Sequence, residues 1–102
     1  MPHARITTIT FTPGGLERVW GLVPAFVAML REQPGFLSYQ FFQTGPDMAL
    51  TIALYASRDE SDEAARAAAA WIAENAAHLI VRRDVRAGEE LLYEAGRSSE
   101  GA

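Results

Sequence analysis

Phe36-Leu37-Ser38-Tyr39-Gln40-Phe41-Phe42-Gln43-Thr44, then Gly45-Pro46-Asp47, then Met48-Ala49-Leu50-Thr51-Ile52-Ala53-Leu54-Tyr55-Ala56, forms the centre of the chain and its clearest pattern. Both long runs are rich in aromatic and aliphatic residues and read with the two-residue period of a strand. In the first run Leu37, Tyr39 and Phe41 share one face, and Phe36, Ser38, Gln40 and Phe42 the other. In the second, Met48, Leu50, Ile52 and Leu54 share a face, while Thr51 and Tyr55 point the opposite way. The turn signal between the runs is short, so the two strands form an antiparallel hairpin.

On the N-terminal side, Ile6 to Thr12 reads Ile-Thr-Thr-Ile-Thr-Phe-Thr, a β-branched run in which Thr7, Ile9 and Phe11 share a face; Pro13-Gly14-Gly15 ends it. Leu16, Val19, Trp20, Val23, Val27 and Leu30 then recur at helical spacing, with Phe26 widening the stripe, and predict a helix from about residue 16 to 33. Pro24 lacks an N–H and clashes with the preceding turn, so it is expected to kink that helix or restart it. Gln33-Pro34-Gly35 closes it. Beyond the hairpin, Ser57 and Ser61 are both candidate N-caps. Ser57-Arg58-Asp59-Glu60 fits a capping box, and the acidic residues that follow suit the positive end of a helix dipole. The alanine-rich stretch carries this second helix to about Ala77. Residues 78 to 88 read either as more helix or as a short extended piece. Glu89 to Ala95 is expected to be the last strand, with Leu92 central, and residues 96 to 102 a disordered polar tail.

The element order β-α-β-β-α-β predicts one α+β domain over residues 1 to 95, a four-stranded antiparallel sheet with both helices on one face. The other face has no helix to cover it and is expected to carry Phe36, Phe42 and Tyr55, depending on register. A sheet face with exposed aromatics calls for a partner, and the simplest is the same face of a second copy in a homodimer.

Composition narrows the function classes. The chain has 102 residues, a net charge of −4, no lysine, nine arginines and no cysteine. A mildly acidic chain without a basic stripe is a poor partner for nucleic acid and for anionic membranes. Cysteine chemistry is excluded, and two histidines far apart make no metal-site pattern, so no metal is expected. No signal-peptide pattern follows Met1, and the expected location is cytoplasmic.

The element order, together with Gln33-Pro34-Gly35-Phe36-Leu37-Ser38-Tyr39, resembles the antibiotic biosynthesis monooxygenase family, dimeric α+β barrels built on the ferredoxin-like β-α-β-β-α-β unit. Tyr55-Ala56-Ser57-Arg58-Asp59-Glu60 matches the polar stretch those proteins carry after the third strand. The likeness extends over roughly residues 5 to 95 and implies a monooxygenase that needs no cofactor and acts on an aromatic or quinone-forming small molecule. The same architecture also serves ligand-binding or structural proteins without chemistry, and isomerases or cyclases. This chain departs from the family in places. Tyr55 ends the third strand where many members have Trp, and Glu63-Ala64-Ala65-Arg66-Ala67-Ala68 holds no His. The haem-degrading members pair a first-strand Asn with a Trp and a later His. This first strand has no Asn, and Trp71 and His78 are spaced more closely, which argues against haem degradation.

Trp71, Asn75 and His78 fall at i, i+4 and i+7, one face of a helix that continues to 78, with Ala64, Ala67 and Ala68 on the same side. As a catalytic set, Trp71 stacks on the ligand, Asn75 hydrogen-bonds it and His78 takes a proton near neutral pH. The competing reading makes Trp71 core, Asn75 the start of the helix C-terminus and His78 a partner of its dipole. Trp20, on the core face of the first helix, and Tyr39 and Tyr55, on strands, are the candidate substrate-binding residues. His3 is expected near a frayed terminus without a partner. Arg82, Arg83 and Arg86 form a basic patch suited to a carboxylate or phenolate, or to ion pairs with Glu89 and Glu90.

Overall fold

The computed structural model describes residues 1–96. Its strands and helices are β1 (His3–Phe11), α1 (Gly15–Trp20), α2 (Val23–Arg31), β2 (Phe36–Gly45), β3 (Met48–Tyr55), α3 (Arg58–Asn75) and β4 (Ile80–Glu89), with a single 3₁₀ turn at Ala77–Leu79. The strands form one antiparallel sheet in the order β2-β3-β1-β4. This is the ferredoxin-like arrangement: each β-α-β half leaves a strand-wide gap between its parallel strands, and a strand of the other half fills it.

Local chemistry accounts for most of the elements. Pro24 restarts the first helical stretch: α1 stops at Trp20, Gly21 and Leu22 donate back to Arg18 and Val19, and Pro24 sits in the first turn of α2. A proline is harmless there because that N–H has no helical acceptor. Asp47, in the hairpin turn, holds the start of α1. Its Oδ2 accepts from Gly14 N at 3.1 Å and its Oδ1 from Leu16 N at 3.3 Å. Ser57 is the N-cap of α3: its Oγ accepts from Glu60 N at 3.3 Å and donates to Glu60 Oε1 at 2.9 Å. Gly35 takes φ +77°, a left-handed conformation that a side chain disfavours, and it lies against the Glu60 carboxylate. The Pro34-Gly35-Phe36 turn is thereby packed against the capping box.

The expected last strand at 89–95 is corrected to Ile80–Glu89. Every β1 residue from His3 to Phe11 has a β4 partner, from Glu89 back to Ile80, and residues 91–96 belong to no strand. Leu92, expected at its centre, is 81% exposed. Arginines dominate the true strand because β4 is an edge, where charged side chains stay in water. The expected tail from residue 97 on lies outside the described residues. His3 is also not frayed: it is the first residue of β1, paired with Tyr55 and Glu89, and buried.

The register separates the two faces. Thr7, Ile9 and Phe11 of β1, Tyr39 and Phe41 of β2, Ala49, Thr51, Ala53 and Tyr55 of β3, and Arg83 and Val85 of β4 lie under the helices. Phe11, Val19, Ala49, Ala76 and Leu79 form the buried core cluster at one end. Tyr55, Ser61 and Ala64 are buried at the other, where α3 begins. The open face carries Ile6, Phe42, Met48, Leu50, Ile52 and Leu54, of which Ile6, Phe42 and Met48 are exposed. Of the three aromatics expected there, only Phe42 is found. Tyr55 is 1% exposed under the helices, and Phe36 packs against it edge-on at 6.0 Å. The register shift between Phe36 and Ser38 adds a residue to β2 and turns Phe36 to the covered side.

Candidate functional site

Between the packed ends the helices do not fill the covered face. A cavity of about 240 Å³ lies there. Its roof is the alanine run of α3, Ala64, Ala65, Ala68 and Ala69. The alanines that give α3 its helical propensity are too short to reach the sheet, so the gap follows from composition. Its floor includes Thr7, Thr51, Ala53 and Val85. Three aromatics form one wall: Phe26 sets its ring edge-on against Trp71 at 5.1 Å and against Tyr39 at 5.8 Å. Edge-to-face contacts of this kind fix ring orientation beyond what burial alone achieves.

The polar groups are few. Burial pushes the Tyr39 phenol up to about 12, and a hydrogen bond with the Thr51 side chain offsets part of that rise. Burial also raises Tyr55, opposed by the nearby Arg5 guanidinium. Both tyrosines therefore stay neutral at physiological pH and serve as hydroxyl donors or acceptors, not as bases. Arg5 lines the cavity with its Nη1 3.5 Å from Asp62 Oδ1. Arg83 lines it from the β4 side. No Asp, Glu or His is among the lining residues. Among the described residues no group of three or more His, Cys, Asp or Glu is placed to hold a metal ion.

The structure brings three of the six candidate residues to the cavity: Trp71, Tyr39 and Tyr55. Asn75 and His78 are exposed and do not line it. The shared helical face assumed for them ends early, because α3 stops at Asn75 and His78 belongs to the 3₁₀ turn. Asn75 Nδ2 donates to Trp71 O at 2.9 Å, a bond within its own helix. Trp20 is 60% exposed, not on the core face: α1 ends at Trp20, and the break at Gly21-Leu22 changes the helical phase. Its ring covers the edge of Phe41 from outside at 5.6 Å.

Sequence reading did not single out Phe26, Thr7, Thr51 or Arg5 for the site. The signal available was Thr7 on the same face as Ile9 and Phe11, a polar residue on a core-facing stripe. Arg83 was seen only as part of a basic patch. The structure divides that patch: Arg83 faces the helices, while Arg82 and Arg86 alternate to the open face, where Arg82 Nε lies 2.8 Å from Asp84 Oδ2.

A four-stranded ferredoxin-like sheet with an aromatic-walled cavity beneath its helices is thus the class of protein that fold and site define. No protein-family model matches the sequence, and no curated protein matches it significantly. Solved structures do match it. A protein from Nitrosomonas europaea described as a candidate antibiotic biosynthesis monooxygenase superposes with a TM-score of 0.78 at 14% identity, covering 93% of this chain and 94% of its own. A variant of SnoaB from Streptomyces nogalater, a cofactor-independent oxygenase, gives 0.71 at 13% identity over 90% of this chain and 95% of its own. A variant of MhuD with two manganese protoporphyrin IX bound per active site gives 0.72 at 19% identity over 92% and 99%. A further structure from Nitrosomonas europaea, described as a protein of unknown function, gives 0.80 at 15% identity over 95% of this chain and 96% of its own. The chain has the fold of antibiotic biosynthesis monooxygenase-type proteins.

Proposed function

We propose that the cavity binds a small aromatic molecule and that the chain oxygenates it without a cofactor. The observation that carries this reading is the apolar cavity itself, roofed by alanines and walled by Phe26, Tyr39 and Trp71. An apolar cavity of about 150 Å³ accepts benzene. One of about 240 Å³ accepts roughly two fused rings. That size does not fit a porphyrin, and no lining histidine is present to ligate haem iron.

The reaction asks little of the protein. A naphthol-type phenol and dioxygen give a naphthoquinone and water. One oxygen atom enters the ring carbon opposite the hydroxyl, and the hydrogens lost from that carbon and from the hydroxyl leave with the other. The substrate supplies the electrons, so no cofactor is needed. Loss of the phenolic proton is the step a site can assist. The wall offers no base that titrates near neutrality, but Arg5 and Arg83 favour the anionic form of a bound phenol. Trp71 and Phe26 hold the ring, and Tyr39, Tyr55 and Thr51 offer hydroxyls to its oxygen. The test is dioxygen uptake with α-naphthol, with quinone formation followed by absorbance. Uptake by the unaltered protein and its loss in Trp71→Ala support the reading; binding without uptake removes the chemistry.

The lack of any carboxylate or imidazole on the wall favours a second reading, a carrier or sensor of such molecules that performs no chemistry. The same experiment separates the two.

The proposal includes self-pairing into a homodimer through the open sheet face, supported by the apolar rows Phe42-Leu50, Ile52-Ile6 and Leu54-Ala4 along it. Among the described residues no helix is long and apolar enough to cross a membrane.

A further inference from the structure

Two arginines line the cavity, and they differ in what already holds them. Arg5 is committed to Asp62 at 3.5 Å. Arg83 has no carboxylate within ion-pairing distance among the described residues. Its neighbours in sequence do not serve it, because Asp84 alternates to the opposite face and binds Arg82 there. On its own face it stands beside Ile9, its partner across the ladder, with Val85 two residues on. Arg83 thus sets an unneutralised charge at the β4 side of a cavity whose other cation, Arg5, is already paired.

We infer that Arg83 is an anion anchor and that the cavity selects small aromatic acids, with the carboxylate on Arg83 and the rings beneath the alanine roof. This deepens the proposed aromatic ligand and rests on that reading. The spacing suits it. The floor row Thr51-Thr7-Val85 lies one two-residue step from the row Ala49-Ile9-Arg83. Arg83 is therefore roughly 7 Å along the strand and roughly 5 Å across from Thr7. A two-ring acid whose rings cover Thr7 reaches a guanidinium placed there. The planar guanidinium pairs with a carboxylate through two parallel N–H donors, a match that a neutral amide lacks. Arg83 is exposed, so its charge costs little without ligand, and the gain comes on pairing at the edge of an apolar space.

The test compares β-naphthoic acid with β-naphthamide, nearly identical in shape, by titration calorimetry at neutral pH and low salt. The unaltered protein is expected to bind the acid about tenfold or more tightly than the amide. Arg83→Gln should abolish that preference while holding amide affinity within about twofold. Arg83→Lys should restore part of it, because a point charge remains and the fork does not. Arg82→Gln, on the opposite face, should leave both affinities unchanged. Equal affinity for acid and amide in the unaltered protein, or a preference that survives Arg83→Gln, overturns the anchor and leaves the aromatic cavity standing. Binding of neither compound overturns the cavity reading and the anchor with it.

Discussion

The two faces of the sheet differ in the opposite sense to what their coverings suggest. The covered face has three helices over it and still contains a cavity, because the long helix above it offers alanines. The open face has nothing over it and carries an apolar patch, Ile6, Phe42, Met48, Leu50, Ile52 and Leu54, bordered on β4 by Arg82, Asp84 and Arg86. A covered face with space is suited to a ligand small enough to be enclosed. An uncovered apolar patch with a charged border is suited to a second protein surface. The same strands supply both, residue by alternate residue, so a one-residue slip would exchange the roles.

The largest effect expected from breaking this contrast is at the centre of the open face. Ile52→Arg puts a second charge in the row Ile52-Ile6-Arg86, into the apolar patch that the two-fold contact would bury. Sedimentation should show monomer where the self-pairing proposal expects the unaltered chain to be dimer, with unchanged far-ultraviolet dichroism. A dimer that survives would place the contact elsewhere, and an unaltered chain that is monomeric at micromolar concentration would end the self-pairing proposal.

Next in size is the packed part of the covered face. Leu79 is 3% exposed in the packed core, and Leu79→Ala should cost about 2–5 kcal/mol in denaturant unfolding. A cost well below that range would mean the packing beneath the helices is as loose as the cavity. Filling the space should act in the opposite direction and by less. Ala68→Leu extends the roof into the cavity and should raise stability by roughly 1–2 kcal/mol while abolishing binding of two-ring ligands. A loss of stability would show that the roof has no room to give.

The smallest effect is on the alkaline limb. Tyr39 keeps its proton to about 12 when folded, against 10.0 when free. Between those values the unfolded chain releases the proton and the folded chain holds it. Its contribution is therefore complete below pH 10.0 and falls away as pH rises toward 12. Tyr39→Phe should flatten that part of the stability-against-pH curve, and an unchanged slope would mean that Tyr39 meets solvent.

Of the candidate site, Trp71, Tyr39 and Tyr55 were legible because each is a large aromatic in an element whose period was clear. Phe26 was visible only as the edge of a helical stripe, since nothing in α2 alone shows that its ring stands between Tyr39 and Trp71. Arg83 could not be separated from Arg82 and Arg86 while residues 78 to 88 had no assigned conformation. In an extended strand the three divide between two faces, and only one reaches the cavity. Asn75 and His78 share a face with Trp71 only in a helix that runs on past Asn75, and α3 ends there.

Local sequence accounts for the alternation of the hairpin strands, the restart at Pro24, the Ser57 cap and, from their order, the α+β class. Each depends on residues within about one turn or one strand of one another, so the chain carries the whole cause nearby. The tertiary structure alone decided that an arginine-rich segment is the fourth strand and that Phe36 turns inward while Trp20 turns out. It also decided that Phe26, Thr7, Thr51 and Arg83 meet around one cavity. Those outcomes depend on ladder register and helix phase among segments far apart in the chain, and no local window contains them.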